Sequence, residues 1–299
     1  MGCTSEKTKD VILENNNKYP VCRLSISIIG EFNSILAYDS KRIILGGNDE
    51  IKIFDSTSNE VSILSNDIKG RINCLIKLPN GNVVSGGQDS KIKIWDIDKK
   101  ECLYILEGHK SIIWDIKYIN NNTLISASDD NTCKIWNLKD KTSKFLYSAT
   151  RRHISSIAVL KNNKVLLAAG KNLLLFDLNT KDQINCLVIT VWSLKVLKNG
   201  DVAAGLGNGL LYLLEVTDEI LVKTEFARGH KTNINFIIEL NNGDIVTCSD
   251  ENNIVLWDRN EPESIYFIRG HSDIVSSMCY IEGNKFATFS RDNTLKIWE

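Results

Sequence analysis

The chain has 299 residues, 43% hydrophobic and 24% charged, enough to bury a sizeable core. Its 36 Lys and Arg against 37 Asp and Glu leave a formal net charge of −1, so no global field draws it to nucleic acid or to an anionic membrane. No apolar run approaches the roughly 20 residues that span a bilayer, and the polar start MGCTSEKTKD lacks a secretory signal. Eight cysteines are scattered without a C-x-x-C pair or local Cys/His ligand spacing. They predict small buried thiols in a reduced, cytoplasmic protein, with no metal site.

In chain order, residues 1–20 are polar and read as a disordered tail. They begin Met1-Gly2-Cys3, similar to the start of proteins that carry myristate on Gly and palmitate on Cys, and two such chains are what stable anchoring takes. The chain departs from M-G-x-x-x-[ST], because Glu6 takes the last position and Ser5 falls one short. Lys7, Lys9 and Lys18 are balanced by Glu6, Asp10 and Glu14. The alternative to an unmodified tail is membrane association through acylated Gly2 and Cys3.

Next comes VCRLSISI, Val21 to Ile28, which alternates as a strand does. Beyond it one phrase recurs: apolar, any, apolar, aromatic, acid. It reads IKIFD to Asp55, IKIWD to Asp96, CKIWN to Asn137, LLLFD to Asp177, LYLLE to Glu215, IVLWD to Asp258 and LKIWE to Glu299. The aromatic slots are Phe54, Trp95, Trp136, Phe176, Leu214, Trp257 and Trp298, spaced 41, 41, 40, 38, 43 and 41 residues apart. Upstream of each phrase stand two apolar markers three apart and a third eight further on. The sets are Phe32/Ile35/Ile43, Ile72/Leu75/Val83, Ile113/Ile116/Leu124, Ile154/Ile157/Val165, Val191/Leu194/Val202, Ile234/Ile237/Ile245 and Val275/Met278/Phe286. Turn residues such as Pro79-Asn80-Gly81, Lys198-Asn199-Gly200 and Asn242-Gly243 separate them, and Asn runs such as Asn120-Asn121-Asn122 read as turns.

Seven copies in one register resemble the WD-repeat family, over residues 21–299. The resemblance implies an all-β fold, a seven-bladed propeller of four-stranded blades around a channel. The chain stops at Glu299, directly after the third strand of its last blade. Val21–Ile28 is therefore expected to supply the fourth strand and close the ring, as in the family, since a bare sheet edge would otherwise remain.

His, Ser or Thr, and Asp at regular spacing invite a hydrolase reading. They are His109, Ser126 and Asp130 with Trp136, and His271, Thr288 and Asp292 with Trp298. A third set is His230 and Thr247 with Trp257, where Glu251 holds the acid slot beside Asp250. In the family such residues form a buried hydrogen-bond network, and no oxyanion hole or pocket accompanies the repeated slot, so no catalytic residue is assigned. At the His slot, blade two has Ile68 and blade four Thr150, while blade five has Leu214 for the aromatic and Asn208 for the acid. Blades four and five are expected to be the least tied.

The resemblance places binding at the channel mouth. Trp114 and Trp192 each follow the first marker of their blade; blade four, between them, offers Arg151, Arg152 and His153 in the corresponding loop. Lys110, Lys69 and Arg71 extend the basic character. Aromatics beside Arg suit acidic or phosphorylated peptides; packing tryptophans and a solvated basic loop are the other reading. The expected role is a non-catalytic adaptor or scaffold that binds proteins or peptides, with no nucleic acid, small-molecule substrate or cofactor. The alternatives are a propeller subunit of another cytosolic assembly and a substrate receptor of a ubiquitin ligase. The latter is weakened because W-D-x-R is absent: Trp95-Asp96-Ile97-Asp98, Trp136-Asn137-Leu138-Lys139 and Trp257-Asp258-Arg259 all depart from it. The N-terminal heptads of heterotrimeric G-protein β subunits are absent too, and no metal cluster or phosphate loop supports a propeller enzyme.

Overall fold

The computed structural model describes residues 20–65, 68–120, 122–148, 153–217, 221–259 and 265–299, without side chains for 221–227. Gly2 and Cys3 lie outside the described residues. Short alternating runs form strands, and the residues between them set the turns. At Leu78-Pro79-Asn80-Gly81-Asn82 the Gly81 N–H donates to the Leu78 carbonyl (3.0 Å) and the Leu78 N–H to that of Asn82 (2.8 Å). Gly81 has a φ of 90°. This is a type I turn closed by a left-handed residue, a place where glycine carries no Cβ penalty. Residues 197–201 and 240–244 repeat it. Elsewhere asparagine takes the left-handed position, at Asn59, Asn122, Asn131, Asn162, Asn163 and Asn293.

The described strands form seven antiparallel four-stranded sheets. Blades one to six span 32–65, 72–106, 113–148, 154–188, 191–228 and 234–268, and blade seven joins 275–298 to 22–27. In each blade the third apolar marker lies directly across from the aromatic slot: Ile43 on Phe54, Val83 on Trp95, Leu124 on Trp136. The series continues with Val165 on Phe176, Val202 on Leu214, Ile245 on Trp257 and Phe286 on Trp298. All of these residues are buried. The marker periodicity thus records cross-strand pairs facing a neighbouring blade.

The core is divided into clusters lodged between adjacent blades. Ile44, Ile53 and Leu64 of blade one pack on Ile72, Val83 and Trp95 of blade two. Across the seam, Phe32 and Phe54 of blade one pack with Phe289 and Leu295 of blade seven, the Phe32 and Phe289 rings meeting edge to face at 5.0 Å. Each blade completes its core only against its neighbours.

Cys22–Ser27 adds antiparallel to Thr294–Trp298, with Cys22 opposite Trp298, Leu24 opposite Ile297 and Ser27 opposite Thr294. The ladder extends through Val21 N–H to the Glu299 carbonyl (2.8 Å), Glu299 N–H to Val21 (3.0 Å) and Ile28 N–H to Asn293 (2.8 Å). The expected closure is present, and it removes the open edge of blade seven.

Candidate functional site

Two of the three His sets are assembled in full, and the hydroxyls of all three are sealed from solvent. In blade three His109 Nδ1–H donates to Asp130 Oδ2 (2.8 Å), while the Ser126 hydroxyl donates to His109 Nε2 (2.6 Å) and accepts from Trp136 Nε1–H (2.7 Å). Blade seven repeats this with His271 to Asp292 (2.9 Å), and with Thr288 joining both His271 Nε2 and Trp298 Nε1 at 2.8 Å. Ser126, Thr247 and Thr288 have no exposed surface, so none of these hydroxyls can reach a substrate.

Blade six keeps half of the arrangement. Thr247 joins His230 Nε2 and Trp257 Nε1, each at 2.8 Å, but Glu251 Oε2 stands 4.0 Å from His230 Nδ1. Ser249 bonds Nδ1 instead at 3.0 Å, and Glu251 accepts the Lys231 N–H (2.6 Å). Blade two has Ile68 in the His place, and Trp95 Nε1–H donates to Ser85 Oγ at 2.9 Å. Its Asp89 pairs with Lys93 at 2.7 Å. Blades one, four and five, with Phe54, Phe176 and Leu214 in the aromatic slot, have no indole there to donate. Thr150, in the His slot of blade four, is outside the described residues.

Burial lowers the pKa of all three imidazoles below the ordinary histidine value, with Asp130 and Asp292 opposing the effect at His109 and His271. His230, opposed by Glu251, falls to about 4. A depressed histidine pKa means that the unfolded state takes up the proton first. Stability from these groups is whole above about pH 6.5 and declines as the pH falls from there toward 4. At Asp292 burial raises the carboxyl pKa, but hydrogen bonds from Thr294, Ser272 and His271 outweigh it and hold it at about 2. Its contribution is lost only below about pH 4. The melting temperature is expected to fall from pH 6.5 to 4.5, and less steeply in His230→Gln; a flat profile contradicts this.

The channel is a cavity of about 1180 Å³. In all seven blades the innermost strand has a register shift directly after its first marker, as between Ile113 and Asp115 and between Val191 and Ser193. Such a bulge re-aims one side chain. At the bulge, Asn73, Ser155 and Ser276 each donate to the carbonyl of the next blade's first marker, at 3.0, 3.2 and 2.6 Å. Blades three and five have Trp114 and Trp192 instead, 36% and 37% exposed. Both line the channel mouth with Arg71, His153 and Arg291. Trp114 Nε1–H donates to Asp129 (2.7 Å), and the His153 ring lies 6.0 Å from that of Trp192. The bare Cα of Gly207 makes room for the Trp192 indole, since a Cβ there would sit 2.7 Å from Nε1.

Of the sequence-predicted residues, the structure thus brings together Trp114, Trp192, His153 and Arg71. Arg151 and Arg152 lie outside the described residues. Lys110 and Lys69 are exposed but do not line the cavity. Lys110 belongs to the turn after His109, where its N–H donates to Asp130 (2.9 Å). Sequence reasoning misses Asp129, Asp250 and Arg291 at the mouth. Each stands seven residues before the aromatic slot of its blade, a register position the repeat itself could have identified. The mouth is therefore of mixed charge, with Asp129 and Asp250 beside Arg71 and Arg291.

A family model described as "WD domain, G-beta repeat" matches residues 59–96, 100–137 and 262–299. Each stretch runs from the outer strand of one blade to the third strand of the next. No curated protein matches the chain. Among solved structures, the crystal structure of the WD40 beta propeller domain of Doa1 is similar, with a TM-score of 0.82 and 19% identity, covering 94% of this chain and 97% of that one. At that identity the likeness speaks for the fold alone. The chain is thus a seven-bladed propeller in which three stretches match WD40 repeats.

Proposed function

We propose that the chain is a non-catalytic, cytoplasmic interaction scaffold whose partner segment docks across the channel mouth on Trp114 and Trp192. One observation carries this reading. At the bulge position, where Asn73, Ser155 and Ser276 tie one blade to the next, blades three and five present half-exposed indoles instead, and in blade five the tie passes to Ser193, which donates to the Ile234 carbonyl at 2.6 Å. Burying two indoles against a partner supplies the kind of anchor on which interfaces depend. Arg71 and Arg291 line the same mouth, and neither guanidinium has an ion-pair partner among the described residues. They favour a partner bearing acidic or phosphorylated side chains. The seven described cysteines are free thiols, four of them buried and Cys102 and Cys186 exposed, where the sequence predicts small buried thiols.

The test is affinity capture with wild type, Trp114→Ala/Trp192→Ala, and Ile63→Ser on the outer strand of blade one. The proposal expects captured proteins to be lost from the double variant alone, at unchanged melting temperature. A capture profile lost with Ile63→Ser and kept by the double variant would place the interface on the rim.

A further inference from the structure

The channel carries a second chemical feature, three residues further along the strands that bear the tryptophans. Lys117 follows Trp114 by three and Lys195 follows Trp192 by three, which sets both about 10 Å deeper. Ala158 holds the same register position in blade four, between them, so no long side chain separates the two lysines there. All three residues line the cavity.

Of the nearby carboxylates, Asp115 holds Lys117 and neither it nor Glu239 pairs with Lys195. Asp115 Oδ1 takes the Lys117 ammonium at 2.6 Å, and its Oδ2 accepts the Ile157 N–H (2.8 Å) and the Ser156 hydroxyl (3.2 Å). Glu239 accepts the Lys198 N–H (2.7 Å) and pairs with Arg259 at 3.7 Å. Lys195 is left with no hydrogen bond or ion pair among the described residues. Burial lowers its pKa, and Lys117 and Lys198 lower it further against the opposing pull of Glu239. Tyr118 and Tyr280 also line the cavity, and their hydroxyls have no hydrogen-bond partner among the described residues. Unpaired ammonium and phenol groups facing one enclosed space offer donors and lack an acceptor.

We propose that the deep channel binds a multivalent oxyanion of the phosphate or phosphate-ester class between Lys195 and Lys117. Such an anion offers several strong acceptor oxygens and offsets the charge left on Lys195. It also departs from the expectation, drawn from sequence, that no small molecule is bound. A free anion and a phosphorylated side chain reaching down from the mouth share this chemistry.

Calorimetric titration of the full chain with inorganic pyrophosphate, against chloride at matched ionic strength, tests the proposal. Wild type is expected to bind saturably, and Lys195→Met to lose about tenfold or more in affinity. Lys195→Arg and Trp114→Ala/Trp192→Ala are expected to stay within about twofold of wild type, so the deep site stands or falls separately from the mouth. Lys195→Met is also expected to melt higher than wild type in phosphate-free buffer, which shows that it folds. A second arm treats a captured partner with phosphatase. A Lys195-dependent loss of its affinity assigns the anion to the partner, and unchanged affinity assigns it to a free ligand. Heat equal to that of chloride, or undiminished pyrophosphate binding by Lys195→Met, would overturn the proposal.

Discussion

Deleting residues 20–30 is expected to lower the melting temperature by on the order of 10 °C or more and to drive the protein into oligomers. The segment supplies the whole outer strand of blade seven, so its loss bares the N–H and C=O groups of Thr294–Trp298 along one edge. Each ladder bond contributes about 0.5–1.5 kcal/mol. Burial of Ile28, which is 3% exposed, adds about 1.5–3 kcal/mol, and Leu24 and Ile26 pack on the same seam cluster. The sum reaches several kcal/mol, a large share of the roughly 5–15 kcal/mol that holds a domain folded. Because that cluster also joins blade seven to blade one, the damage spreads across the seam. A bared edge is then a template for pairing with a second chain. Calorimetry with light scattering reads both effects, and an unchanged melt in a monomeric protein contradicts the closure.

Thr288→Val carries the second large effect, about 2–5 kcal/mol of stability for the exchange of one hydroxyl for a methyl group. Thr288 Oγ1 is the shared partner of His271 Nε2 and Trp298 Nε1, and it has no exposed surface. Valine fills the same space, so no cavity forms, but two buried polar atoms lose their partner together. The internal control is Ser85→Ala in blade two, where Ile68 stands in the His place and only the Trp95 indole is orphaned. It is expected to cost about half as much. Equal losses in denaturant-unfolding measurements on the two variants would show that the His contributes nothing to the network.

What was legible in the sequence is what repeats. The markers and aromatic slots could be read because each is one half of a buried cross-strand pair, copied in every blade. Closure by Val21–Ile28 was legible because an uncovered edge in the last blade calls for a strand, and only one alternating segment precedes the first marker. Single positions were read less well. Glu251 fills the acid slot in the repeat register, yet its extra methylene carries the carboxylate past His230 Nδ1, and Ser249 takes the bond. Lys110 looks like part of the mouth because it adjoins His109 in sequence, but the turn holds it away from the channel wall. Asp129, Asp250 and Arg291 bear no hydrophobic period, so apolar patterning passes over them, and their shared place seven residues before the aromatic slot is legible only from the repeat register. The bulge that aims Trp114 and Trp192 into the mouth is a backbone irregularity that apolar patterning does not encode.

The central claim is that the mouth between blades three and five is the working surface. Its most direct measurement is the affinity of a purified captured partner for wild type, Trp114→Ala/Trp192→Ala and Ile63→Ser. Truncating two central aromatic anchors is expected to weaken binding by about a hundredfold, at roughly 1–2 kcal/mol each, with Ile63→Ser within about twofold of wild type. Wild-type affinity in the double variant, with its fold intact, would contradict the account.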